Sequence, residues 1–325
     1  MHEVSIVIVN FNTVDLLRAC LQSIAADASC RGCEVIVIDN ASTDGSVKMA
    51  KGSFPHVRVV VNEVNEGFAR PNNTGIKMAS GRYILLLNSD TEVRSGAISE
   101  MKAFLETHPD AAACGPMLLY PDGRLQHSVN GFPTLWTHFC DMFLLDKLFP
   151  RTTLFGRGQM AYFDYHRTEP VDHVMAAAFL VRREVRDSVG VFDERFTIYY
   201  NDMDWCYRMV KAGWRIYYAH TAQVIHHLGQ TVNRVNRSFA YFEEMHNNVM
   251  LFYRKHYGAA SVVVYKLLLV IGFIPRCVWW WWHRILSGSD HAIHMSIFCW
   301  RTLKLGLRFW TPVPHVALTE AAASR

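Results

Sequence analysis

Four polar clusters in the amino-terminal third carry residue types that could do chemistry together: Asn10 to Asn12, Asp39 to Asp44, Asn62 to Gly67 and Asn88 to Asp90. The run Asp39-Asn40-Ala41-Ser42-Thr43-Asp44-Gly45 puts two carboxylates and two hydroxyls at a strand end and a helix start. A buried Asp there can accept from a pyrimidine N–H and from ribose hydroxyls. The same residues suit a turn and a helix N-cap, and the motif alone leaves both readings open. Asn88-Ser89-Asp90 offers a carboxylate for a divalent metal bridging two phosphates, because Mg2+ and Mn2+ take oxygen ligands and keep several waters; a capped turn looks the same in three residues. Farther on, Asp202 follows Tyr199-Tyr200-Asn201. It can deprotonate an alcohol held near it, although acids in a helix's first turn also simply favour the helix dipole. His226 and His227 stand close to Gly229, where a histidine either bonds within a turn or, in a crevice, serves a metal or a phosphate.

These groups matter only if the fold converges them. Apolar strands at Val4 to Val9, Val35 to Ile38, Val57 to Val61 and Tyr83 to Leu87 alternate with helical periods at Asp15 to Ala26, Asp44 to Lys51 and Ala69 to Ala79, the last stopped by Gly81. Such alternation marks a parallel sheet covered by helices. Each cluster directly follows one of the four strands, and ligands of open α/β sheets bind beyond the carboxyl ends, so one shared crevice is expected. Next come a helix from Ala97 to Glu106 with Ser95 as its N-cap, and a strand from Ala112 to Tyr120 ending in a turn at 121–123. Gln126 to Arg167, aromatic-rich and without sustained period, reads as a mobile segment on the substrate side. A strand from His173 to Val181, a helix from Asp202 to Lys211, a strand from Arg215 to Ala219 and a helix from Phe239 to Tyr257 complete the pattern.

Composition narrows the classes. With 325 residues, 50% apolar and 19% charged, the chain suits one large α/β domain or a domain with an appendage, and is too apolar for disorder and too poor in Gly and Pro for a collagen-like rod. A net charge of +4 does not by itself argue nucleic-acid binding. Cys30 and Cys33 form the lone CxxC among eight scattered cysteines; without a second pair, and placed before a strand, they read as a turn. No GxxxxGK[ST] occurs, and Gly156-Arg157-Gly158 with Ala161 neither follows a strand nor opens a helix, so dinucleotide chemistry loses its support. MHEVSIVIVN carries no signal-peptide pattern, and a cytoplasmic start is expected.

Taken in order, VSIVIVNFN, VIVIDNASTDGS, NEVNEGFARPNN, LLLNSD, FTIYYNDMDWCYR and VIHHLGQT resemble the family 2 glycosyltransferases of GT-A fold, and within them the bacterial rhamnosyltransferase-like enzymes of cell-surface polysaccharide assembly. The resemblance covers about residues 4 to 256. It implies an α/β GT-A fold, a Rossmann-like mostly parallel sheet, over residues 1–257, with a nucleotide-binding half (1–112) and an acceptor half (113–257). It implies nucleotide contacts from Asn10, Asn12, Asp39, Asn40 and Ser42, and donor-pocket contacts from Asn65, Gly67, Asn72 and Asn73. The family's D-x-D motif falls on Asn88-Ser89-Asp90, giving Asp90 to a divalent metal, Mg or Mn, with Asn88 in place of the first acid. The E-D pair falls on Asn201-Asp202 and makes Asp202 the catalytic base, with Asn in place of Glu. The late H-x-x-G motif selects His226, by its spacing to Gly229, as a metal ligand. The implied reaction is a single inverting displacement from a dTDP- or UDP-sugar, with rhamnose as the candidate sugar, onto a polyprenyl-diphosphate-linked or glycan acceptor. A non-catalytic nucleotide- or glycan-binding module on the same fold is the alternative. A processive synthase is disfavoured, since neither several spanning helices nor Q-x-x-R-W is present.

The carboxyl-terminal segment, 258–325, has its own character. Val262 to Trp282 is strongly apolar but interrupted by Lys266, Pro275 and Arg276, so a spanning helix is disfavoured. Four consecutive tryptophans beside Arg276, His283 and Arg284 suit the headgroup level of a membrane, and His294 to Trp310 is again amphipathic. An ordinary helical subdomain would share this pattern; the tryptophans favour an interfacial anchor. Residues 262–310 carry net +5, the tail cancels, and 1–261 carry −1. The expected partner of the basic segment is therefore anionic lipid rather than nucleic acid, on the cytoplasmic face of the inner membrane, in a peripheral or monotopic attachment.

Overall fold

The computed structural model describes residues 2–196, 199–227 and 239–308. Its elements in chain order are β1 (Val4–Asn10), α1 (Val14–Ala26), β2 (Glu34–Asp39), α2 (Ser46–Ser53), β3 (Arg58–Val61), α3 (Ala69–Met78), β4 (Tyr83–Asn88), β5 (Thr91–Val93), α4 (Ala97–Thr107), β6 (Ala111–Leu119), β7 (Val129–Asn130), α5 (Leu135–Met142), α6 (Leu145–Leu148), β8 (Glu169–Val171), β9 (His173–Val174), β10 (Ala178–Arg182), α7 (Arg183–Val189), α8 (Asn201–Lys211), β11 (Arg215–His226), α9 (Phe239–His256), α10 (Ala259–Ser287) and α11 (Asp290–Leu307). They form two compact units. Among the described residues, the first holds 2–130, 163–196 and 199–227, and the second 131–162 and 239–308.

The first unit is a GT-A α/β fold. Its sheet runs in the order β3-β2-β1-β4-β10-β6-β11-β5, with β8 added on β11. Strands β3, β2, β1 and β4 are parallel, while β10 lies antiparallel between β4 and β6. The near-continuous apolar runs of β1, β2 and β4 are what a sheet covered on both faces requires. Helix α3 lies so close on β1 that a Cβ at Gly75 would stand 2.2 Å from Val7 Cγ1, which is why that helix position carries no side chain. The buried Arg182 guanidinium binds the carbonyls of Leu105, His108 and Ala111, satisfying the end of α4 from the adjoining strand.

Several expectations are corrected. Helix α4 begins at Gly96, in the left-handed region with φ 84°, and Asp27 rather than Ser95 serves its entry, accepting from the Gly96 amide at 3.0 Å. The expected strand from His173 to Val181 divides: β9 pairs with β7 in a separate ribbon and β10 joins the main sheet. The last strand continues past Ala219 to His226, because a register shift between Ala219 and Gln223 absorbs the irregularity. The stretch read as mobile, Gln126 to Arg167, is instead largely built in, with Gln126, Ser128, Val129, Cys140, Met142 and Tyr165 buried.

The second unit is helical: α5 and α9 pack on α10, and α10 pairs with α11. Helix α10 runs unbroken through Pro275, contrary to the expected interruption. Beside the proline, the Arg276 guanidinium binds the Gly272 carbonyl one turn back and the Met142 carbonyl at the end of α5, holding α10 to α5 at this point. His138 meets the Tyr253 hydroxyl at 2.6 Å, joining α5 to α9. Helix α10 is long and apolar enough to cross a membrane by length and composition.

Asp44 is not itself the N-cap of α2, which is Gly45, but from the preceding position its carboxylate serves the starts of two helices at once. Its Oδ2 accepts from the Val14 amide at 2.8 Å, and its Oδ1 from the amide and hydroxyl of Ser46 at 3.0 and 2.6 Å. Burial works to raise this carboxyl, but the bonds from Ser46 and Val14 hold it below the usual range. A depressed carboxylate lends stability above its unfolded pKa and loses it as pH falls through the folded one. Asp44→Ala should therefore cost about 1 kcal/mol in urea denaturation at neutral pH, an exposed cap's worth, and the difference should shrink below about pH 4. Equal stability of the two proteins at neutral pH would contradict the double cap.

Candidate active site

Strand register brings the polar clusters together. Asn10 is the direct neighbour of Asp39, Val9 of Asn88, and Asp39 of Val61 just before Asn62. Asn10, buried, donates to Asp39 Oδ2 at 2.8 Å and to Ser42 Oγ at 3.1 Å, and accepts from Thr13 Oγ1 at 2.7 Å. Asp39 Oδ1 accepts from the Ser42 amide at 2.8 Å. A carboxylate has about four acceptor sites, so Asp39 retains capacity for a ligand. Asn12 stands in the left-handed region, φ 52°; its amide donates to Ser42 Oγ and its Oδ1 accepts from Thr43. Ser89 meets Thr13 Oγ1 at 3.0 Å and so ties the fourth cluster to the first.

Asn40 links the second and third clusters. It donates to Asn65 Oδ1 (3.0 Å) and the Gly67 carbonyl (2.7 Å), and accepts from Asn62 at 2.9 Å. Asn72 and Asn73 are spent within the protein: Asn72 bonds the Phe68 carbonyl, and Asn73 bonds the backbone of Phe192 and the Glu194 carboxylate. The structure thus joins Asn10, Asn12, Asp39, Asn40, Ser42, Asn65 and Gly67 in one hydrogen-bonded rim, with Asn72 and Asn73 supporting it from α3.

A second grouping forms where β11 pairs with β5, His226 opposite Thr91. His226 Nε2 lies 3.3 Å from Asp90 Oδ1, and its Nδ1 lies 2.9 Å from Gln126 Oε1. Both residues of this contact are buried, and in the tautomer whose Nδ1–H donates to the amide oxygen, Nε2 presents its lone pair on the side of Asp90. An imidazole nitrogen beside a carboxylate oxygen, with its tautomer fixed from behind, is a donor set that fits a Mn2+-type cation. Among the described residues no group of three or more His, Cys, Asp or Glu gathers, so the remaining ligands would be oxygens of a bound diphosphate and water. His227 takes another role, with its Nε2 2.6 Å from Glu92. Gly229, the end of the H-x-x-G motif, lies outside the described residues, as do Thr197 and Ile198 and the tail from 309 onward.

Asp202 opens α8 after two residues held in the left-handed region, Tyr199 (φ 51°) and Tyr200 (φ 59°). Non-glycine residues there cost of order 1–3 kcal/mol each and cluster at functional sites. Asp202 Oδ1 accepts from the Met203 amide at 2.9 Å and Oδ2 from the Ala176 amide at 3.2 Å. The adjacent Ala177 carbonyl accepts from the Asn88 amide at 2.9 Å, so two consecutive residues tie Asp202 to the end of β4. Burial would raise this carboxyl, but His173, with its Nε2 3.2 Å from Oδ2, and the two amides hold it below the usual carboxylate range. The result is a carboxylate ionised at neutral pH and still partly open to solvent. Asn201, where the motif would place Glu, folds its Oδ1 onto the Asp202 amide.

Gln126 and His173 are the two participants that sequence reading missed. Each stands in a stretch with no local motif, and only the tertiary fold brings them to His226 and Asp202.

The profile of Glycosyl transferase family 2 matches residues 5–168. An N-acetylglucosaminyl-diphospho-decaprenol L-rhamnosyltransferase of Mycobacterium tuberculosis is 29% identical over 218 residues, 63% of this chain and 69% of that protein. Among solved structures, a mannosyltransferase of Pyrobaculum calidifontis in complex with GDP-Man and Mn2+ superposes with a TM-score of 0.54 at 13% identity, over 94% of this chain and 86% of that one. GalNAc-T7 with UDP, GalNAc and Mn2+ gives 0.53 at 14% identity, over 78% of this chain and half, 50%, of that one.

Proposed function

The chain belongs to glycosyl transferase family 2, and from that premise we propose that it is an inverting enzyme moving a sugar, rhamnose being the candidate, from a dTDP- or UDP-activated donor to a polyprenyl-diphosphate-linked or glycan acceptor. The observation that carries the reading is Asp202: an ionised, partly exposed carboxylate tied through Ala176 and Ala177 to the strand end that carries Asp90. Support for the lipid-linked acceptor comes from the mycobacterial relative, and support for a divalent metal from the two Mn2+-bound neighbours.

In this mechanism the rim of Asn10, Asn12, Asp39, Asn40 and Ser42 holds the nucleoside, with Asp39 accepting from the base or ribose. Asn65, Gly67 and Asn88 border the sugar and diphosphate, while Asn72 and Asn73 keep that border in place. Asp90 and His226 would hold a divalent metal, which when bound would supply Lewis-acid neutralisation of charge on the leaving diphosphate. Asp202 takes the acceptor hydroxyl proton as that oxygen attacks the anomeric carbon from the face opposite the diphosphate. Its depressed pKa keeps it ready as a base at neutral pH.

The second unit is the proposed attachment surface. On α10 the side chains of Ile274, Val278, Trp279, Trp281, Trp282 and Ile285 are exposed, while Tyr265, Leu269 and Phe273 are buried within the unit. Exposed tryptophans flanked by Arg284 suit an anionic membrane interface, and on this reading the protein works at the cytoplasmic face of the inner membrane, peripheral or monotopic.

Three outcomes check the proposal. Asp202→Asn should lose transfer by a factor of about a hundred or more while calorimetry still reads nucleotide binding, the usual weight of a general base; turnover near wild type removes Asp202 from the mechanism. Asp90→Ala should abolish the Mn2+ dependence of donor binding, and binding that is indifferent to EDTA in the unaltered protein would remove the metal. Replacing Trp279, Trp281 and Trp282 together with Ser should weaken sedimentation with phosphatidylglycerol vesicles by roughly tenfold or more, given the apolar area lost. Undiminished sedimentation would remove the tryptophans from membrane contact.

A further inference from the structure

We propose that His173 is the positioning residue of the catalytic base: its Nε2 stands against the carboxylate, 3.2 Å from Asp202 Oδ2, and sets how that carboxylate meets the arriving acceptor. The inference rests on Asp202 being that base.

The geometry leaves His173 little else to do. It is buried, 5% exposed, at the start of β9, and neither ring nitrogen makes a regular hydrogen bond to another group. A buried imidazole with no satisfied nitrogen is costly unless an interaction with a neighbour offsets it, and the neighbour within reach is the Asp202 carboxylate. The position is rigid, because β9 pairs with β7 through Asn130 opposite His173 and Val129 opposite Val174. Close packing extends to the next residue, since a Cβ at Gly115 would meet Val174 Cγ2 at 2.8 Å. The Met203 and Ala176 amides donate to the carboxylate and the imidazole stands against its Oδ2, so contacts from three residues orient it.

The surroundings single His173 out electrostatically. On α8 itself Asp204 turns to Arg208, 2.8 Å away, and Cys206 is a buried thiol pushed well up by its burial and by Asp202. Helix α7 and strand β11 also pack against α8, and among the described residues none of their charged groups pairs with Asp202. Without the imidazole the Ala176 and Met203 amides alone would stand against burial, and the carboxyl's pKa would lie higher than it does.

The test is the pH dependence of kcat and of both KM values for the unaltered full-length enzyme, His173→Phe, His173→Gln and Asp202→Asn, with thermal unfolding to follow the fold. In His173→Phe the acidic limb of kcat should move to higher pH, with donor KM unchanged and kcat recovering at alkaline pH. His173→Gln restores a polar neighbour, and should recover orientation while keeping part of the upward shift. A limb that stays in place in both variants, or a loss equal at every pH, overturns the proposal. If His173→Phe does not fold, the limb of His173→Gln decides alone. An inactive Asp202→Asn beside unmoved His173 profiles overturns His173 only; an active Asp202→Asn overturns the base and His173 with it.

Discussion

Parallel pairing of β1 with β2 and β4 is the constraint on which the rest of the structure depends. It sets Asn10 beside Asp39 and Val9 beside Asn88, so that the side chains ending three strands share one edge. A slip of one residue would turn each of them to the opposite face and bury polar groups among aliphatic ones. The alternatives are expensive, since Asn10, Asp39 and Asn40 are all nearly fully buried and each is satisfied by another member of the group. The polar rim proposed to hold the nucleotide is therefore also part of what specifies the register.

Two electrostatic arrangements stand on that edge, and they differ in kind. At Asp90 and His226 a carboxylate meets a ring nitrogen whose other side is fixed by Gln126, an arrangement that a shared cation completes. At Asp202 the carboxylate is surrounded by donors, which keeps it charged in spite of burial. A leaving diphosphate needs positive charge near it and an attacking hydroxyl needs a base, and in the proposed mechanism the two arrangements answer those separate demands. The second unit presents an exposed apolar and tryptophan-rich face beside basic residues, the surface proposed for membrane attachment.

Local signals made the amino-terminal half legible. Apolar strand runs, the polar residues that end them and the helical periods between them all act over a few residues, and Asn10, Asp39 and Asn40 met in the structure as the strand ends suggested. What escaped is long-range. Gln126 reaches His226 across one hundred positions, and His173 reaches Asp202 from another strand, with no spacing rule to announce either pair. Gln126 to Arg167 looked structureless because α5 spans only about two turns, and its packing against α10 is a long-range contact. Pro275 looked like a break because the packing that holds α10 to α5 there, Arg276 on the Met142 carbonyl, joins distant parts of the sequence.

Single displacement by an acceptor oxygen has one signature that no binding study can imitate: the anomeric configuration of the product. With the preferred nucleotide sugar and a lipid-linked acceptor, proton NMR of the newly formed glycoside should show the configuration opposite to that of the donor from the first turnover onward. A product that keeps the donor's configuration would contradict the role of Asp202 as base in a one-step transfer, and with it the account of the site given above.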